Sequence, residues 1–261
     1  MPRFAANISL MYPEWSLVER IGAAARDGFA AVEVQGPYSV PAAEFRRALH
    51  DASVQIVLMN APHGPAQGDH GLAAMPGREA DFAATLDAAL DYAATIGAPR
   101  LHVLSGRPGP GIARADCLRT YCANLQLACD RAAAHGITVM IEPLNTRDNP
   151  GVFLTHQQQA ADVMVAVARA NLKLQFDFYH LQIMEGDLLR HLRQHIGITG
   201  HVQVAGAPDR HEPDTGEIHY PVVFAELDRL GYAGWVGCEY RPARGAVAGG
   251  TSLGLGWLRR C

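Results

Sequence analysis

Eight short apolar runs alternate with longer helix-like segments along 261 residues, and that alternation limits the fold more than any other feature. The runs are Phe4–Leu10, Ala31–Gln35, Gln55–Met59, Arg100–Leu104, Thr138–Glu142, Lys173–Asp177, His201–Val204 and Trp235–Glu239. Strands separated by helices pair in parallel, because each helix carries the chain back to the same end of the sheet. Eight such units in typically about 250 residues, with no break in composition, fit a single closed (β/α)8 TIM barrel over residues 1–261. An open doubly wound sheet fits less well, since no Gly-x-Gly-x-x-Gly follows the first run.

The segments between the runs carry helix signals. Ser16–Glu19 and Thr155–Gln158 have capping-box spacing, in which side chains satisfy the orphan N–H groups of a helix start. Three apolar stripes recur at helical spacing: Phe82, Leu86, Ala89, Leu90, Ala93 and Ile96; Leu118, Tyr121, Cys122, Leu125, Cys129 and Ala132; and Val223, Phe224, Leu227 and Leu230. Gly28, Gly97, Gly136 and Gly231 stand where helices should stop. Two loops are long, Asn60–Gly77 after the third run and Gly206–Tyr220 after the seventh. In a parallel barrel both lie at the catalytic face, where the first suits a lid over the site.

Composition excludes several classes. Lys and Arg number 22 against 26 Asp and Glu, a net charge of −4, which disfavours binding to a phosphate backbone. Five cysteines include Cys117, Cys122 and Cys129 in one helical pattern and form no C-x-x-C pair, so neither a disulfide framework nor a structural zinc site is expected. Reduced thiols, an N-terminus without signal-peptide layout and the lack of a long uncharged apolar run point to a cytoplasmic protein with no membrane partner.

Side chains alternate faces along a strand. In the last four runs, Val139 and Ile141, Leu172, Leu174 and Phe176, Val202 and Val204, and Val236 and Cys238 suit contact with outer helices. The opposite face then points into the lumen and ends on four consecutive strands with Glu142, Asp177, Gln203 and Glu239. Three carboxylates gathered in a lumen repel unless a cation or a proton intervenes. An all-oxygen donor set favours Mg²⁺ or Mn²⁺, with zinc ranking lower for want of His or Cys. Glu142, Asp177, Gln203 and Glu239 are therefore the candidate metal ligands. His180, on the loop after the sixth run, and His102, facing the lumen from the fourth, are candidate substrate contacts; Arg210 is a candidate clamp for an anionic group. His191 and His195 read as solvated helix residues.

The segments Met1–Asn7, Gly71–Glu79, His201–Pro213 and Gly234–Tyr240 closely resemble the hydroxypyruvate isomerase family, one of the xylose-isomerase-like barrels. The resemblance runs through essentially the whole chain. It implies that Glu142 and Glu239 are the catalytic acid/base pair and also ligate the metal, with Asp177 and Gln203 completing it. It places His180 and Arg210 where relatives hold substrate. Ketose 3-epimerases usually have a histidine where Gln203 stands, so the amide favours the hydroxypyruvate branch. The implied reaction interconverts hydroxypyruvate and tartronate semialdehyde through an enediolate, with a hydride shift as the competing route. The same chemistry on 2-oxo-tetronate is the nearest alternative; a DNA-repair endonuclease of the same superfamily and a non-catalytic metal- or acid-binding barrel are more distant ones.

Overall fold

The computed structural model describes residues 2–260, so Met1 of the family-like opening and Cys261 lie outside the described residues. Eight parallel strands close into one barrel in chain order: β1 (Arg3–Asn7), β2 (Ala31–Val34), β3 (Gln55–Asn60), β4 (Arg100–His102), β5 (Thr138–Ile141), β6 (Leu172–Asp177), β7 (Thr199–Val204) and β8 (Trp235–Cys238). Pairing of Arg3 with Trp235 through Ala6 with Cys238 seals β1 to β8. Around the barrel run α1 (Leu17–Arg26), α2 (Ala42–Ala52), α3 (Glu79–Ile96), α4 (Arg114–Ala133), α5 (Gln157–Val167), α6 (Phe178–Met184), α7 (Leu188–His195), α8 (Tyr220–Arg229) and α9 (Gly250–Gly254). The expected TIM barrel is the observed fold.

Local chemistry explains most of these elements. Glu19 accepts from the Ser16 N–H at 3.0 Å, closing the capping box of α1. Thr155 does not cap α5, which starts later with His156 before its first turn; the Glu185 carboxylate instead accepts from the Gln157 N–H at 2.8 Å. The α3 stripe is buried throughout, whereas α4 is rotated so that Cys117 is buried and Leu118 lies 42% exposed. His195, expected to be solvated, is instead buried and stacks on His191 at 6.1 Å. The C-terminal segment packs on its own barrel, where Trp257 meets Phe4 edge-on at 5.3 Å.

The apolar set predicted for β5–β8 is buried beneath the helices, and the alternate set lines the lumen. Register places Asp177, Gln203 and Gly237 side by side across three strands, leaving Glu239 one layer higher. Gly237 has a specific reason to be glycine. A Cβ there would collide with the buried Glu33 carboxylate, which fills that part of the lumen.

Gly237→Ala is expected to destabilise the barrel by about 1–3 kcal/mol, the usual cost of overpacking a filled interior. Urea unfolding measures this, and an unchanged midpoint would mean that Glu33 moves aside freely.

Candidate active site

Glu142 leaves the end of β5, and Asp177 ends β6 while capping α6. Both are buried. The Gln175 amide donates to Glu142 Oε2 at 2.9 Å, and the Tyr179 N–H donates to Asp177 Oδ1 at 2.7 Å. The remaining oxygens, Glu142 Oε1 and Asp177 Oδ2, are buried and have no hydrogen-bond partner among the described residues. His180 Nε2 lies 3.9 Å from the first and 3.7 Å from the second. The facing atoms of these three residues lie within 4.8 Å of one another, and the two carboxylate oxygens among them suit one cation.

His180 is not on a loop, as the sequence suggested, but in the first turn of α6. Its Nδ1 accepts the Asn145 backbone N–H at 3.1 Å and stands 2.7 Å from the Asn145 amide nitrogen. A backbone N–H only donates, so in the neutral ring the proton sits on Nε2. Burial, and then the charge of Arg210, hold this histidine well below its ordinary pKa and so keep it neutral. His180 therefore faces the carboxylates as a hydrogen-bond donor.

Glu239 follows β8. Its Oε1 accepts from Arg210 Nη2 at 2.7 Å and from Gln35 Nε2 at 2.5 Å. Arg210 also donates from Nε to the Glu239 carbonyl at 3.3 Å and approaches Asp177 Oδ2 at 4.0 Å. Its guanidinium lies over the Tyr179 ring, 5.0 Å from the centroid. The arginine stands at the tip of the β7–α8 loop with φ of 57°, an unusual conformation for a side-chain-bearing residue. The Arg241 N–H, donating to its carbonyl at 2.8 Å, fixes it there. Gln203 lies deeper: its oxygen accepts from Gln175 at 2.7 Å and its nitrogen donates to Glu33 at 2.7 Å. His102 Nδ1 stands 3.5 Å from Glu142 Oε2.

A polar cavity of about 150 Å³ opens above these groups and is lined by Glu142, Glu239, His102, His180 and Arg210. Four further residues matter that the sequence reading passed over. Gln35 follows β2 on the lumen parity of Glu33, and Gln175 shares that parity with Asp177, so alternation was a usable signal for both. Asn145 and Arg107 come from loops after β5 and β4, where strand parity carries no information. The long β3–α3 loop is held to the β4 end by the Gly71–Ser105 bridge and by the Ala74 N–H donating to the Ser105 carbonyl at 2.7 Å.

Electrostatics here are those of crowded buried acids. Burial, then the charges of Glu239 and Asp177, push Glu142 well above the ordinary carboxyl range. Burial lifts Glu239 to about 8 despite the opposing pull of Arg210. Asp177 rises to about 6 from burial, with Arg210 and the N–H groups at the start of α6 limiting the rise. Burial drives His102 down to about 3. Burial works against the charge of Arg210 too, but the carboxylates of Glu239, Asp177 and Glu142 outweigh it and raise its pKa.

The fold and this constellation of acids at the C-terminal ends of the strands define a barrel enzyme. The family described as xylose isomerase-like TIM barrel matches residues 21–261, and the chain belongs to it. It is 52% identical to 2-oxo-tetronate isomerase of Cupriavidus necator, over 99% of this chain and 98% of that protein. It is 37% identical to hydroxypyruvate isomerase of Escherichia coli K12, over 99% and 98% of the two chains. A crystal structure described as AP endonuclease, family 2, from Brucella melitensis superposes with a TM-score of 0.95 at 45% identity, covering 100% of this chain and 99% of that one. With relatives of this identity named isomerases along their full length, the chain is an isomerase.

The raised carboxyls make a pH prediction for the metal-free protein. A carboxyl whose folded pKa exceeds its unfolded value stabilises the fold while protonated and loses that contribution as pH rises through the folded value. Glu239 and Glu142 are such groups, and the loss from Glu239 runs up to about pH 8. The depressed His102 and His180 act oppositely, but their contribution is complete above their ordinary value of 6.5. In the presence of a chelator, the melting temperature is expected to fall between pH 6.5 and 8. A flat or rising profile there would show that these carboxyls ionise as readily folded as unfolded.

Proposed function

We propose that the chain is a metal-assisted aldose–ketose-type isomerase of short 2-oxo acids, moving the carbonyl between C2 and C3 through an enediolate. The observation carrying this reading is one polar cavity holding two buried, hard-to-ionise glutamates, Glu142 and Glu239, each beside its own positioning groups. Glu239, lifted to about 8, can exchange a proton near neutral pH, as removal of a proton beside a carbonyl requires, and Glu142 is shifted in the same direction.

Substrate choice rests on the relatives. Relatives named 2-oxo-tetronate isomerase are 39%, 41% and 52% identical; those named putative hydroxypyruvate isomerase are 40–42% identical and the Escherichia coli hydroxypyruvate isomerase 37%, so the Cupriavidus necator relative at 52% decides the order. This ordering puts 2-oxo-tetronate first and hydroxypyruvate second, reversing the order expected from the motifs. The two acids share the carboxylate and the reacting C2–C3 unit and differ by one terminal hydroxymethyl group.

One glutamate takes the proton from C3 of 2-oxo-tetronate and the other delivers a proton to C2, while the C3 hydroxyl proton is lost and the C2 oxygen gains one. The roles exchange in reverse. Arg210 and Gln35 hold the Glu239 carboxylate in place, and His102 stands beside Glu142. His180, with its proton on Nε2, donates to a substrate oxygen. The unpartnered oxygens of Glu142 and Asp177 fit a hard divalent cation, Mg²⁺ or Mn²⁺, which Glu239 and the Gln203 amide oxygen would complete. When bound, such an ion supplies Lewis-acid polarisation of the carbonyl. The endonuclease description of the Brucella melitensis relative finds little support here: a net charge of −4 opposes backbone binding, and the cavity suits a small acid.

The test is NMR of 2-oxo-tetronate, then hydroxypyruvate, with metal-stripped protein in D₂O, before and after Mg²⁺ or Mn²⁺ is added. Metal-dependent isomerisation with deuterium at the new C–H is expected. No conversion of either acid with metal bound would overturn the reading and favour a non-catalytic binding barrel. In Glu142→Gln and Glu239→Gln, turnover is expected to fall by about 10²–10⁴ with the fold retained. Near-normal rates in either variant would remove that residue from the acid/base pair.

A further inference from the structure

We propose that Arg107, rather than Arg210, is the anchor for the substrate carboxylate; this rests on the reading of the chain as a short oxo-acid isomerase. Two arginines line the cavity. Arg210 is already neutralised, with Glu239 at 2.7 Å, Asp177 at 4.0 Å and its flat face on Tyr179. Freeing it for a substrate carboxylate would leave the buried Glu239 carboxylate without this partner. Arg107 has no acidic partner within ion-pair distance among the described residues. Its polar neighbour is the neutral Asn149 side chain, whose Oδ1 accepts from Nη2 at 3.3 Å.

The surroundings of Arg107 also suit an anion. It follows β4, and the β3–α3 loop brings His63 and His70 to the same cavity wall, with their rings 5.9 Å apart. Two glycines allow these loops to meet. A Cβ on Gly106 would stand 2.5 Å from the Gly71 carbonyl oxygen, and both residues adopt positive φ. The Gly71 N–H donates to the His63 carbonyl at 2.7 Å, tying the histidine segment to this junction. The cavity wall thus has the acids Glu142 and Glu239 on the β5 and β8 side and a guanidinium without an acidic partner among the described residues, with two imidazoles, on the β3 and β4 side. A 2-oxo acid has the matching polarity: its C1 carboxylate meets Arg107 bidentately, and C2 and C3 lie toward the glutamates. A neutral ketose of the same length lacks the group that Arg107 recognises, so this residue sets the preference for acids over sugars.

Steady-state kinetics of Arg107→Met, with Arg107→Lys as the conservative variant, test this directly. KM for 2-oxo-tetronate is expected to rise about 10- to 100-fold in Arg107→Met, as loss of a charged hydrogen bond predicts, with kcat little changed and partial recovery in Arg107→Lys. Calorimetric titration of the same proteins with L-threonate, a four-carbon acid without the oxo group, and with neutral threitol reads the anchor without turnover. Threonate should bind the wild-type chain better than threitol and lose that advantage in Arg107→Met. An unchanged KM and threonate affinity in Arg107→Met, or a wild-type chain that prefers threitol, would overturn the assignment. If no short oxo acid is isomerised, the proposed function fails while the threonate titration still decides the anchor.

Discussion

Four carboxylates, Glu33, Glu142, Asp177 and Glu239, are buried in the barrel lumen, and the way each is compensated orders the rest of the molecule. Glu33 is fully engaged by His201 at 2.6 Å, Asn7 at 2.9 Å and Gln203 at 2.7 Å. Glu239 is engaged by Arg210 and Gln35. Glu142 and Asp177 each keep one buried oxygen with no donor. An unmatched anion in a low-dielectric interior is expensive, so the molecule must admit a proton or a cation at that point. Stability and function therefore meet at the same two oxygens.

The lower lumen keeps the upper one in register. Gln175 bridges Glu142 and Gln203, donating to both, and Gln203 passes the chain of bonds down to Glu33. Glu33 occupies the place that a side chain at position 237 would take, which is why β8 carries glycine there. The network is tied at Glu33 and at the Gln175 nitrogen, while Gln175 Oε1 and His201 Nδ1 have no partner among the described residues. Glu142 is thus positioned from the layer below it by Gln175, whereas Asp177 is fixed by the start of α6 and Glu239 by Arg210 and Gln35.

What the sequence revealed and what it hid follow from the range of the interactions involved. Eight strands, the closed barrel and the lumen parity of Glu142, Asp177, Gln203 and Glu239 were all legible, because strand alternation has a period of two and the outward set is apolar. Errors arose where a local signal met a tertiary competitor. Asp177 caps a helix immediately, so His180 is helical where a loop was expected; Glu185 satisfies the start of α5 in place of Thr155; and α4 turns Cys117 inward ahead of Leu118. Asn145 and Arg107 were invisible for a different reason. Their roles depend on how loops fold over the strand ends, and no short-range pattern encodes that.

Asn145 shows how much such a loop residue decides. A histidine among three acids would ordinarily be drawn to its protonated form, which would add a charge competing for the same carboxylates. By delivering a backbone N–H to Nδ1, Asn145 penalises that form, since a doubly protonated ring would set two donors against each other. Burial and Arg210 act in the same direction. His180 is left with one directed N–H at Nε2, between the two oxygens that lack partners. Among the described residues, the positive charge in the cavity is then confined to Arg210, engaged by Glu239, and to Arg107, which has no acidic partner. Of the two, only the second is free to choose among substrates by their charge.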